Sequence, residues 1–162
     1  MPILKIVNKP YINSTDGANL FDYIFRKSLV HGGWSVDPQH ALEQMEFVRM
    51  YWGQNDGSKL YHFIVSFSAY ESKEIPADAY LAWIAYDICK HFRGDYQIVF
   101  GIHERRYEDF YGKKKCWDEH FVMNPVSSHT GERYAKRKND DCVLAAVVRE
   151  ATGMPVKLVY GG

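Results

Sequence analysis

The sequence predicts an α+β fold, an antiparallel-dominated central sheet packed with helices on one or both sides. Three observations carry this. Short runs rich in β-branched and aromatic residues alternate with stretches of helical period. The order they give is β-α-β-α-β-α-β-β-α-β, each helix returning the chain to one sheet. Finally, 162 residues of which 46% are apolar suffice for one ordinary domain with a real core.

Taken in order, Ile3 to Val7 is a short apolar strand, and Asn8 to Asn13, with Lys9-Pro10-Tyr11, is a turn or extended loop. Asp16-Gly17 is expected to break the chain before a helix over Asn19 to Lys27, where Leu20, Tyr23 or Ile24, and Lys27 recur at turn spacing. Gly32-Gly33 turns into a short strand ending at Val36. Asp37 caps and Pro38 opens a helix over 38–52, with Ala41, Met45 and Val48 on one face. After the loop Gly53 to Ser58, Leu60 to Ser68 is a strand. Pro76 precedes an amphipathic helix from Ala77 to Phe92, stopped by Gly94. Tyr96 to His103 and Glu119 to Val126 are the two central strands, and Pro125 marks the end of the second. Glu104 to Trp117, long and charged, reads as a loop rather than a tight hairpin, and loops of that length carry function or move. Asp140 or Asp141 caps a helix through Thr152, Gly153 stops it, and Pro155 to Tyr160 is the last strand.

Composition bounds the function. Twenty basic and twenty acidic residues cancel, so the global excess of charge usual in a nucleic-acid binder is absent. The charge is instead local. Lys113-Lys114-Lys115 and Arg133 to Lys138, including Lys136 and Arg137, form two basic clusters on either side of the central strands, open to reading as solvated loops or as DNA contacts. Three cysteines without close spacing imply no disulfide framework and a cytoplasmic setting. No apolar run approaches the ~20 residues of a membrane span.

The chemistry concentrates between Tyr96 and Asn124. Side chains two apart on a strand point the same way, so Asp118 and His120 share a face, and His103 joins them if the two strands pair. Two imidazoles and a carboxylate suit Mg²⁺ or Mn²⁺ better than Zn²⁺.

With Asn124 following His120 at a spacing of His-x-x-x-Asn, this pattern resembles the metal motif of relaxases, the DNA-nicking mobilisation proteins of conjugative plasmids and transposons, whose palm-like HUH sheet agrees with the fold above. His103, Asp118 and His120 take the three ligand positions, with Asp118 where the family has histidine, and Glu104 to Trp117 is an insertion. Phe21-Asp22-Tyr23-Ile24 is similar to the family's nucleophile motif, which implies that Tyr23 attacks the DNA phosphate, with Tyr11 as the rival. From periodicity alone Tyr23 reads as a core aromatic. Tyr61 to Phe67 is similar to a second motif, which implies that Ser66 contacts DNA near the nick; Ser66 also reads as a plain strand-end hydroxyl and His62 as a packed sheet histidine. Asn124 and Glu104 are expected behind the metal ligands. The resemblance implies single-stranded DNA at an origin of transfer as substrate, relaxosome accessory proteins as partners and a 5′-phosphotyrosine intermediate. Relaxases commonly continue into further domains, so residues 1–162 read as a single domain that stands alone or begins a longer protein. The alternatives are a catalytically degenerate relaxase fold that only binds single-stranded DNA, and a rolling-circle replication initiator.

Overall fold

The structure is a computed structural model that describes residues 1–134 and 139–162. Six strands form one sheet: β1 (Ile3–Val7), β2 (Ser28–Trp34), β3 (Tyr61–Ser66), β4 (Ile98–Asp109), β5 (Gly112–Met123) and β6 (Lys157–Gly161). Their order across the sheet is β2-β4-β5-β3-β1-β6, and every pairing is antiparallel except β1 with β6. The helices are α1 (Ser14–Lys27), α2 (Ala41–Tyr51), α3 (Ala69–Lys73), α4 (Asp78–Lys90) and α5 (Asp140–Thr152). No helix among the described residues is long and apolar enough to cross a membrane.

Alternation along the strands divides the apolar residues between two cores. One face carries Phe63, Phe100, Ile102, Phe121 and Met123, packed with Leu81, Ile84 and Ile88 of α4 and Leu144 and Val148 of α5. The Phe63 and Phe121 rings stack across β3 and β5 at 4.7 Å between centroids. The other face carries Val99 and Val122 under Leu20, Phe21 and Ile24 of α1 and Met45 of α2. This second layer stops short of one end of the sheet, where the polar residues cluster.

Gly101 sets how closely α1 lies on β4. A Cβ at this position would stand 2.6 Å from Cγ2 of Ile24 and 3.0 Å from its carbonyl oxygen. Only glycine permits that approach, and it brings the end of α1 bearing Tyr23 down onto the central strands.

Several boundaries differ from expectation. α1 begins at Ser14 because the Asn13 side chain caps it, accepting from the Asp16 amide at 2.8 Å, so Asp16-Gly17 lies within the helix. The strand expected over 32–36 starts earlier, at Ser28. A short α3 follows β3, closed by a reciprocal capping box between Ser68 and Glu71. α4 ends at Lys90, before Gly94, with Arg93 taking a positive φ of 56°. The largest correction concerns Glu104 to Trp117. This is no loop: β4 and β5 stay paired from Ile98↔Met123 out to Asp109↔Gly112, joined by Phe110 and Tyr111 alone. Outside Cys116 and Trp117 this segment is exposed or only partly buried and has no apolar alternation, so its sequence carries no strand signal.

Candidate active site

The register aligns the polar residues on one face. His103 of β4 stands opposite Asp118 of β5, and Ser66 of β3 stands opposite Asp118 on its other side. His120 lies two residues along β5, opposite Gly101 and Ile64, and His62 pairs with Val122 one step further. Residues 62, 66, 103, 118 and 120 therefore project from the face that α1 partly covers.

Three imidazoles gather there, each only 6% exposed. The rings of His103 and His120 are 4.4 Å apart between centroids, and those of His62 and His120 are 5.4 Å apart. Nε2 of His103 lies 2.9 Å from the Ile24 carbonyl oxygen. A carbonyl only accepts, so this nitrogen carries a hydrogen and donates it. Burial and neighbouring imidazoles hold His62 down to about 3. Burial, then His103, hold His120 down to about 4, against the opposing pull of Asp118. Both rings are therefore neutral at pH 7, with lone pairs available.

Asp118 is held on one side only. Its Oδ2 accepts from Nε of Arg105 at 3.0 Å, while its Oδ1 is buried without a hydrogen-bond partner. An orphaned carboxylate oxygen beside two buried imidazoles fits a divalent cation. The three side chains are not already a cage: among the described residues no three His, Cys, Asp or Glu groups are arranged to hold a metal ion.

The two tyrosines differ sharply. Tyr23 is 43% exposed and stands edge-on to His103 at 5.1 Å and to His120 at 5.6 Å. Nζ of Lys27 is 5.2 Å from its ring centroid. Tyr11 is buried, its hydroxyl 2.8 Å from Nδ1 of His62, and burial, then Asp16, push it up to about 12.

The relaxase family, in its description as MobA/VirD2-like, nuclease domain, matches residues 23–152, well over half of the chain. The chain belongs to this family. No curated protein and no solved structure matches it. Relaxase nuclease domains nick DNA, bind single-stranded DNA at an origin of transfer and generally use a divalent metal.

Other residues expected to serve the relaxase site lie elsewhere. Asn124 is fully buried at the far end of β5, where its amide donates to the Met45 carbonyl at 3.2 Å and to Oε1 of Gln97 at 2.9 Å. It ties β5 to α2 and touches no site histidine. Glu104 follows His103 directly and so points to the opposite face, pairing with Arg106 at 3.1 Å and Lys115 at 3.6 Å. Arg133 spends its guanidinium on the loop after α2, donating to Oε1 and the carbonyl of Gln54 and to the carbonyls of Asp56 and Ser58. Lys113, Lys114 and Lys115 lie on the ribbon, clear of the histidines. Lys136 and Arg137 lie outside the described residues.

Three side chains that the sequence did not single out for the site stand next to it in this relaxase domain. Arg105 was findable, being two residues past His103 and hence on its face. His62 carried a weaker signal, four residues before Ser66 on the same strand face. Lys27 sits one helical turn after Tyr23 and was read only as part of the helix pattern.

Proposed function

We propose that this domain cleaves and reseals one strand of DNA at an origin of transfer, with Tyr23 as nucleophile. The observation that supports this most directly is the half-exposed Tyr23 ring set edge-on against both His103 and His120. A phenol is a weak nucleophile at neutral pH and needs help to lose its proton. Lys27 supplies a positive charge beside the ring as it gains electron density. The Tyr23 oxygen forms a bond to phosphorus in line with the departing 3′ oxygen, whose bond to phosphorus breaks. The phenolic proton leaves to solvent or a neighbouring base, and the 3′ oxygen takes up a proton. The products are a 5′-phosphotyrosine and a free 3′-hydroxyl, and the reverse exchange reseals the strand.

His103, Asp118 and His120 are the residues that would hold Mg²⁺ or Mn²⁺, which would offset charge on the phosphate oxygens and orient the scissile group. The neutral His120 imidazole and the unpartnered Oδ1 of Asp118 support that assignment. Ser66, opposite Asp118, is read as a DNA contact, and the ribbon lysines as phosphate contacts. Three unpaired cysteines support a cytoplasmic setting, and relaxosome proteins are its expected partners.

The test is a Mn²⁺-containing incubation with single-stranded oligonucleotides that tile the DNA flanking the gene. A covalent protein–DNA band on a denaturing gel is expected. The Arg105–Asp118 ion pair favours a second reading, a degenerate relaxase fold that only binds single-stranded DNA. No heat on titration with Mn²⁺ together with no covalent band would support it.

A further inference from the structure

Past His103 and Asp118 the two central strands run on alone. The last pairing of β2 is Ser28↔His103 and the last of β3 is Ser66↔Asp118. Among the described residues, Glu104–Asp109 and Gly112–Trp117 then pair as strands only with each other, with α3 lying along the β5 side and the β4 edge open. Asp109 is six residues beyond His103, so the tip stands roughly 20 Å from the site.

The ribbon is basic, with Arg105, Arg106 and Lys113 to Lys115 against Glu104, Glu108 and Asp109. Glu104 is paired with Arg106 and Lys115, and Glu108 stands opposite Lys113. Between the ribbon and α3 lies a groove of about 410 Å³ whose charged lining is Lys73, Lys113, Lys114 and Lys115, with no carboxylate. Charge on an open edge has a plain purpose, since it prevents pairing with stray strands. The tip runs against that purpose. Phe110 is 97% exposed and Tyr111 84%, their rings edge-to-face at 5.5 Å. Two bare aromatic rings at the tip of a ribbon that carries a lysine-lined groove match a polyanion with flat apolar faces.

We infer that the ribbon is a second DNA-binding element that holds the unpaired strand several nucleotides from the scissile phosphate, its phosphates in the lysine groove and its bases stacked on Phe110 and Tyr111. This rests on reading the domain as acting on single-stranded DNA, but not on Tyr23 or the metal. Fluorescence anisotropy of the full chain at 100 mM salt, with a labelled dT30 strand and a 30-base-pair duplex, tests it. The double variant F110A/Y111A is expected to lose about tenfold or more in affinity for dT30 with little change on the duplex. The variant K113Q/K114Q/K115Q is expected to weaken binding to both and to flatten the salt dependence. Unchanged dT30 affinity in F110A/Y111A, or an equal loss on the duplex, would overturn the stacking role. Tyr23→Phe serves as the control: it is expected to abolish the covalent band and keep dT30 affinity, so failure of the ribbon and failure of the nicking site are read out separately.

Discussion

Nε2 of His62 lies 3.2 Å from Nδ1 of His120. Two imidazole nitrogens at that distance have room for one hydrogen between them, so the rings resist being cationic together. The other nitrogen of His62 faces the Tyr11 hydroxyl, which extends the chain to three buried groups.

Stability should therefore depend on His62 in acid. With His62 held down to about 3 against an unfolded value near 6.5, its contribution is full above pH 6.5 and is lost as pH falls through about 3. At pH 5 the loss is up to about 2 kcal/mol. The advantage of wild type over His62→Asn, read from urea midpoints, is expected to shrink from pH 7 to pH 5. A constant difference would show that His62 is not held neutral by the fold.

Tyr23→Phe is expected to remove the covalent band entirely, and Tyr11→Phe to keep it. Tyr11 is sealed and its proton held tightly, so its loss should register only as roughly 1 kcal/mol of stability, measured by thermal denaturation. A surviving band in Tyr23→Phe would move the nucleophile elsewhere.

Arg105 competes for the carboxylate assigned to the metal. Arg105→Ala frees Oδ2 of Asp118 and is expected to tighten Mn²⁺ binding several-fold by calorimetry. Asp118→Ala should weaken it by roughly 100-fold or more, beyond the effect of losing a residue that merely orients a ligand. Equal affinity in all three proteins would place the ion away from Asp118.

Glu119 is a cost to the fold. It is fully buried on the face opposite the histidines, opposite Val65 and Ile102, and neither carboxyl oxygen has a hydrogen-bond partner. Burial raises its pKa well above the ordinary range. The fold therefore loses stability as pH rises from about 4.5 towards the raised value. Glu119→Met is expected to stabilise the protein by a few kcal/mol at pH 7, with the gain fading as pH falls to 4.5. A lower melting temperature at pH 7 would contradict this.

Arg133→Ala separates a structural arginine from a DNA contact. Removing its bonds to Gln54, Asp56 and Ser58 should cost about 2–3 kcal/mol, while dT30 affinity measured well below the melting temperature should change less than twofold. A large affinity loss at unchanged stability would return Arg133 to the DNA surface.

The order of strands and helices was legible because the core strands are short runs of β-branched and aromatic residues, as in Ile98 to Ile102, which is buried on both faces, while each longer helix has one apolar stripe. The shared face of Asp118 and His120 followed from the two-residue repeat alone. Glu104–Asp109 and Gly112–Lys115 were illegible because every residue there is exposed or only partly buried, which imposes no apolar pattern. Asn124 and Arg133 were misread because a polar side chain looks the same in sequence whether it faces DNA or a backbone carbonyl.

By itself the sequence determined the fold class, the two central strands and the shared face of Asp118 and His120, matters of local period and spacing, while His103 joined that group through the family resemblance and on the condition that the strands pair. Tertiary structure alone decided that Tyr23 meets His103 and His120 while Tyr11 meets His62, that His62 joins the other two histidines, that Arg105 holds Asp118, and that a ribbon extends beyond the sheet. The physical reason is sequence distance. The contacts of Ile24 with His103, His62 with His120 and Tyr11 with His62 span 79, 58 and 51 residues. They depend on sheet order and on the close approach of α1 at Gly101, and no local repeat encodes either.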